Sequence, residues 1–360
     1  MEIRKWVAVT LSVLAISAGF TSCSSDDDEW NWEKEGSTIP MSQTRAFILN
    51  EGSMGKNNAN IIYFDWKTDI VYPYDLFRQQ NGVMLGDVGQ DIIVDDNDDL
   101  FVIMSGSKRI YKLNSVGARK ADVSVSTDLG DPRYGVIDKG YLYVTCYGGY
   151  VAKYDTKTLS FAGSVKVGDN PEYIVKENGT LYCTCSGWGK DNRVAAIDIK
   201  SFDKASFFEV MSNPDRIINV GGKLFVQGYG ADWSYPWGLL DTAKGTFTQL
   251  GNCSAWTAYR NTLYLVNSVT DWSTYATTST FYSYDVSSGK LNNASFLKNA
   301  PEKLTSSSVY GMSVNEKTGD IYVLTTDFSA SGNVYHFQSD GTFVKEFATD
   351  VNPRKVVFLD

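Results

Sequence analysis

Residues Phe47–Asp65 read FILNEGSMGKNNANIIYFD. Two apolar runs, Phe47-Ile48-Leu49 and Ile61-Ile62-Tyr63-Phe64, flank a polar segment from Glu51 to Asn60 that carries Gly52, Gly55 and three asparagines. Short runs rich in β-branched and aromatic residues, bounded by Gly, Asn and Ser, read as paired strands joined by a loop. A loop of this length exceeds what a hairpin needs, and long loops on rigid strands are common sites of binding residues.

Working outward, an apolar trio recurs along the chain: Leu100-Phe101-Val102, Leu142-Tyr143-Val144, Leu181-Tyr182-Cys183, Leu224-Phe225-Val226, Leu263-Tyr264-Leu265 and Ile321-Tyr322-Val323. The spacings are 42, 39, 43, 39 and 58 residues. Each trio follows a Gly-, Asn- or Asp-containing turn and precedes a variable loop and a third strand such as VAKYDTKT or FYSYDVSSG. Four strands in about 40 residues is the unit of a β-propeller blade. The chain therefore predicts an all-β fold, a seven-bladed β-propeller of four-stranded blades.

The count of seven comes from the ends. Phe47, Ile61 and Ile70 supply strands two, three and four of a blade that lacks its first. Arg354–Leu359 has the pattern of a first strand with no blade of its own. Pairing the C-terminal strand with the N-terminal blade closes the ring and removes open sheet edges. Before most first strands stands a proline: Asp131-Pro132-Arg133-Tyr134, Asn170-Pro171-Glu172-Tyr173, Asn213-Pro214-Asp215-Arg216 and Asn352-Pro353-Arg354. Proline fixes φ and donates no hydrogen bond, which suits a strand entrance.

The N-terminus bears on location. Arg4 and Lys5 precede an apolar run, Trp6–Phe20, that ends in Thr21-Ser22-Cys23. This is the layout of a secretory signal peptide, and the run is short for a membrane span. A cysteine directly after it resembles the bacterial lipoprotein signal, although Phe20 stands where Leu is usual. Residues 1–22 are expected to be removed and Cys23 lipidated. The acidic run Asp26–Glu29 then reads as part of an extended tether over residues 23–43, with the propeller at 44–360.

Composition narrows the function classes. A net charge of −9 and a pI near 4.8 argue against nucleic acid or an anionic membrane surface as partner, so membrane contact is expected through the lipid alone. The chain has 22 Tyr and 9 Trp, as suits half-buried sheets. Of five cysteines, Cys146 and Cys185 occupy equivalent places in neighbouring repeats; buried free thiols fit them better than zinc ligation, with a Cys146–Cys185 bridge as the alternative.

In a propeller, the loop entering strand one and the loop joining strands two and three share a face around the central channel. Those loops gather the candidate ligand-binding residues. The polar ones are Asn50, Glu51, Asn57, Asn58, Asp91, Arg133, Arg193 and Arg216. The aromatic ones in strand entrances and short turns are Tyr134, Tyr147, Tyr173, Trp256, Tyr310 and Phe328. The longer loops CSGWGKDN, GYGADWSYPW and SVTDWSTY add Trp188, Tyr229, Trp233, Trp272 and Tyr275, along with Tyr235 and Trp237. Aromatics in such Gly/Asp/Ser-rich loops have no strand face to bury, and a ligand or partner accounts for them better than a core does.

Catalysis and metal binding find little support in the sequence. The one histidine, His336, falls in a third strand away from this rim and reads as structural. A Glu51–Asp91 carboxylate pair is the only arrangement resembling a glycosidase dyad. Asp95–Asp99 lacks calcium-loop spacing and lies on the opposite face. No catalytic residue, metal or cofactor is expected, and the protein is expected not to be an enzyme.

Cys23, the acidic run after it, LNEG…NNA…YFD and the segment LGDVGQDIIV at 85–94 together resemble the BtuG-type cobamide-binding lipoproteins of Bacteroides-type bacteria, which are YncE/YVTN-like propellers. The resemblance spans residue 44 to the end and is most specific in those stretches. It implies a lipid-anchored protein on the outer face of the outer membrane that captures cobalamin (vitamin B12) or a related corrinoid. It also implies delivery to a TonB-dependent outer-membrane transporter. A corrinoid is a large, rigid, amide-edged disc, so aromatic area and hydrogen-bonding groups are the expected means of recognition, without a protein ligand to cobalt. The long Tyr229–Trp237 and Val269–Thr280 loops depart from the family pattern. The alternatives are a propeller that binds a glycan or another nutrient, and a scaffold that binds protein.

Overall fold

Six first strands begin with an irregularity that comes from the residues at their entrances, and these irregularities shape the centre of the molecule. The computed structural model describes residues 30–359, and the ring lies within the unit that starts at Asn31. Seven four-stranded antiparallel sheets make the ring. Blade 1 combines Pro353–Leu359, Arg45–Asn50, Asn60–Asp65 and Ile70–Tyr72, in that order from the axis outward. Blades 2 to 7 follow in chain order, their first strands being Gly89–Val94, Pro132–Asp138, Pro171–Glu177, Pro214–Val220, Ala255–Tyr259 and Ser308–Val314.

The closing blade is built as the sequence predicts. Arg45 pairs with Leu359, Phe47 with Val357 and Ile48 with Val356, while Arg45–Asn50 is buried at every position. Each apolar trio lies on a second strand. These strands are sandwiched between neighbouring blades, so their apolar runs are continuous: Leu100–Met104 is wholly buried, whereas the outer strand Phe161–Lys166 is mostly exposed. The core is correspondingly divided into clusters between blades. One of them joins Ile48, Phe64 and Val356 of blade 1 to Tyr322, Leu324 and Val334 of blade 7.

At the first strands, pairing with the second strand slips by one residue just inside the entrance in six of the seven blades, all but blade 6. A bulge of this kind re-aims side chains. Proline fits there because the ladder needs no donor at that point. Asn170, Asn213 and Asn352, each just before a proline, adopt a left-handed φ of 45–55°, which Asn tolerates better than most residues. The Asn352 amide also donates to the Gly52 carbonyl at 2.9 Å, tying the last strand to the opening loop.

Two expectations need adjustment. Within the described residues, the tether does not run free to residue 43. The Thr38 N–H donates to Gln80 of the short helix Leu76–Asn81 at 2.8 Å, Asn114 donates to the Glu35 carbonyl at 2.8 Å, and Met41 is buried. Apolar and hydrogen-bonding side chains such as these dock a segment that acidic composition alone would extend. Cys23 and the acidic run lie outside the described residues. The Cys146–Cys185 alternative is also set aside, since Cys146, Cys183, Cys185 and Cys253 are all buried free thiols.

Candidate functional site: an aromatic groove above a charged channel

The bulged residues line the top of the central channel with an interlocked set of charges and phenols. Arg354 donates to Glu51 and to the hydroxyls of Tyr134 and Tyr310, and Tyr310 in turn donates to Glu51 at 2.5 Å. Arg133 pairs with Glu172 at 3.0 Å and Gln90 at 2.5 Å, and Tyr147 donates to the same Glu172. Lys355 reaches Asp91 at 2.8 Å. Tyr134 stacks on Tyr173 with centroids 3.5 Å apart. Burial pushes the Glu172 carboxyl up to about 7, against the opposing pull of Arg133. Burial acts to lower the Arg133 value, but Glu172, Tyr134 and Tyr147 together outweigh it and hold the guanidinium still more firmly protonated. Below this set lies a channel cavity of about 310 Å³.

Beside the channel opens a larger cavity of about 560 Å³ among blades 5, 6 and 7. Its walls include Trp233, Trp272 and Phe328, and its floor includes Arg216, Tyr229 and Tyr310. One wall is an overhang: the second and third strands of blade 6, Thr262–Asp271 and Ala276–Asp285, are ten residues each and run beyond the neighbouring blades. Paired hydroxyls brace this overhang, Ser268 with Ser279 at 2.6 Å and Thr270 with Thr277 at 2.9 Å. Asp271 accepts the Ser273 N–H at 2.8 Å and fixes the tip that carries Trp272 and Tyr275.

The backbone of the rim is as informative as its side chains. Trp188, Trp233, Tyr275 and Phe328, one from the strand two–three turn of each of blades 4 to 7, all have left-handed φ, from 51° to 66°. They are also 60–79% exposed. For a bulky residue this conformation costs about 1–2 kcal/mol relative to one without a β-carbon. Such strain concentrates at ligand-contacting sites. In blades 1 to 3, the corresponding turns place Asn57, Lys108 and Gly149 at left-handed φ. The rim is thus polar on one side and aromatic on the other.

The sequence-predicted residues divide accordingly. Tyr229, Trp233, Trp272, Tyr310, Phe328 and Arg216 come together at the groove. Tyr134, Tyr173, Asp91 and Trp256 line the channel, where Tyr134 and Trp256 are 4% and 7% exposed and serve the core as well. Glu51 and Arg133 belong to the channel ion pairs, and Tyr147 to their hydrogen-bond network. Trp188 meets Tyr147 edge-on at 5.8 Å, outside both cavities. Tyr275 stands exposed at the hairpin tip.

Four residues do not reach a ligand surface as expected. Asn50 is fully buried between Asn60 and Thr349, at 2.9 and 3.0 Å. The Asn58 side chain accepts the Ser53 N–H at 2.8 Å and shapes its own loop, in which Asn57 holds the left-handed turn. Arg193 is clamped by Asp191 at 2.7 and 2.8 Å and lies over Phe207 toward the outer strand. Trp237 is a fully buried core ring, because strand three starts one residue before it.

Sequence reading missed Glu172, Asp215 and Arg354 as channel residues, and the signal was present. All three directly follow a proline at a strand entrance, the position that the bulge turns inward. The Glu51–Asp91 carboxylate pair is not free for chemistry either, since each acid is held by its own cation. His336 is structural in its geometry: stacked on Tyr322 at 4.5 Å, it bridges Asp69 at 3.1 Å and Asp320 at 3.2 Å.

No family model matches the chain, and no curated protein matches its sequence. Solved structures do share its fold. Kuenenia stuttgartiensis hydrazine synthase is similar at 16% identity and TM-score 0.60, over 70% of this chain and 77% of that one. Pseudomonas aeruginosa periplasmic gluconolactonase is similar at 14% identity and TM-score 0.59, over 88% and 99%. Staphylococcus aureus virginiamycin B lyase is similar at 14% identity and TM-score 0.55, over 72% and 83%. Likeness at this level carries the propeller frame and nothing finer. It nevertheless corrects the expectation that the protein is not an enzyme, because the shared frame also carries enzymes, a lyase and a gluconolactonase among them. Propeller chemistry depends on a few loop side chains, so a rim without histidine does not exclude it.

Proposed function

We propose that the aromatic groove of blades 5 to 7 is a ligand-binding site, and that the protein captures cobalamin or a related corrinoid there for delivery to a TonB-dependent outer-membrane transporter. The observation that carries the reading is a cavity of about 560 Å³ walled by the exposed rings of Trp233, Trp272 and Phe328, with Trp233 and Phe328 held on left-handed backbone. Rigid rings offer contact area at low entropic cost, and a flat, amide-edged disc uses that area well. The propeller frame accords with a binding role. Lipidation at Cys23, an outer-face location and the transporter partner rest on the resemblance and complete the proposal.

Calorimetric titration of the purified protein with cyanocobalamin tests it. Saturable binding at micromolar protein is the expected result. The absence of heat, together with binding of an oligosaccharide in the same cell, would transfer the groove to glycans and overturn the corrinoid reading.

A further inference from the structure

Arg216 differs from the other arginines at the centre of the ring. Arg133 and Arg354 each meet at least two side-chain acceptors. Arg216 has no side-chain hydrogen bond among the described residues. Its Nε is buried and unpartnered, with the Asp215 carboxylate 3.5 Å away and outside hydrogen-bond geometry. The guanidinium lines both the groove and the channel. The Asp215 backbone carbonyl accepts from the Thr184 hydroxyl at 2.7 Å, but among the described residues its carboxylate, only 13% exposed, accepts no hydrogen bond. Tyr229 and Tyr235, packed edge-to-face at 5.4 Å, line the same floor, and neither hydroxyl has an acceptor among the described residues. Buried polar groups are normally satisfied, so an open donor beside an open acceptor marks a place prepared for a ligand's own polar group.

We infer that Arg216 and Asp215, with the Tyr229 and Tyr235 hydroxyls, form a subsite for a primary carboxamide. Its carbonyl accepts from the guanidinium and phenols, and its NH₂ donates to Asp215. An uncharged group is required. Asp215 offsets the charge of Arg216, and Asp232 lies on the groove wall, so a carboxylate would bring a further negative charge to a floor with no surplus of positive charge. The planar amide matches the planar fork of arginine, which a single hydroxyl would use only in part. The inference rests on the groove being the binding site and specifies the class of group it takes.

Saturation-transfer NMR with nicotinamide and with nicotinate at neutral pH tests the subsite without a corrinoid. These probes share a flat ring and differ only in carboxamide against carboxylate. Nicotinamide is expected to bind roughly tenfold more tightly, the worth of one charge-assisted hydrogen bond, and Asp215→Asn should abolish the preference. Equal binding of the two, stronger binding of nicotinate, or no signal from either overturns the inference, with no need for a folded variant. If the amide preference holds while cyanocobalamin fails to bind, the corrinoid reading falls and the subsite stands.

Discussion

The guanidinium of Arg354 donates to the carboxylate of Glu51, a residue 303 positions earlier in the chain. The bond joins the final strand to the loop where the ring begins, at the inner end of the closing blade. It also ties ring closure to the channel network, since the same guanidinium holds Tyr134 and Tyr310.

Replacing Arg354 by methionine should therefore destabilise the protein by roughly 3–5 kcal/mol, because it leaves Glu51 in a mostly buried site without its cation. The double substitution Arg354→Met with Glu51→Gln should recover a good part of that loss. Chemical denaturation of the two variants measures both. A loss below about 1 kcal/mol for the single variant would mean that closure rests on the backbone pairing of Pro353–Leu359 alone.

The rim and the channel aromatics should separate in mutagenesis. Trp233→Ala and Trp272→Ala remove rings that are 76% and 67% exposed, so stability should change by less than about 0.5 kcal/mol. Cyanocobalamin binding should weaken by roughly tenfold or more, as for an aromatic anchor. Trp233→Gly should lose the same affinity and be at least as stable as the parent, since glycine relieves the left-handed backbone at φ 63°. Trp256→Ala should instead cost roughly 3–5 kcal/mol, the range for a buried aromatic. Paired calorimetric and thermal-melting measurements read the contrast.

His336 should give the blade 7–blade 1 seam a pH dependence. Burial acts to lower its pKa, but the hydrogen bonds and charges of Asp69 and Asp320 outweigh burial, and the net direction is upward from 6.5. The protonated form is thus favoured in the folded state. Its stabilisation is fully present below pH 6.5 and is lost as pH rises through the higher folded value. The remaining groups packed around the ring are Tyr322, stacked on it, and Lys345, whose ammonium donates to the Asp69 carbonyl at 2.5 Å. Melting temperature measured upward from about pH 6 should fall more steeply in the parent than in His336→Gln. Parallel slopes would show that the seam does not sense this histidine.

The fold was legible because its determinants repeat. Six apolar trios, polar turns before them and prolines at the strand entrances give the blade period, and an orphan first strand at 354–359 completes the count. The aromatic half of the site was also legible, since Trp233 and Trp272 stand in loops with no strand face to bury them. What could not be read were three-dimensional partnerships. Arg193 looks like a rim cation until Asp191, two residues away, takes both sides of its guanidinium. Trp237 looks like its loop neighbours until the strand register turns it inward. Glu172, Asp215 and Arg354 look like ordinary strand-entrance residues until a one-residue slip in pairing turns them inward.

Blade 1 takes its innermost strand from residues 353–359 and its other three from residues 45–72. During synthesis, the earliest part of the propeller to emerge is therefore the last to be finished. Six blades can assemble while the seventh waits, with Arg45–Asn50 unpaired along its inner edge. Any chain that stops short of Pro353 lacks Arg354 and leaves Glu51 and Tyr310 without their shared cation. Synthesis of residues 353–359 and assembly of the channel head are consequently one event, and a chain cut before them cannot close this ring.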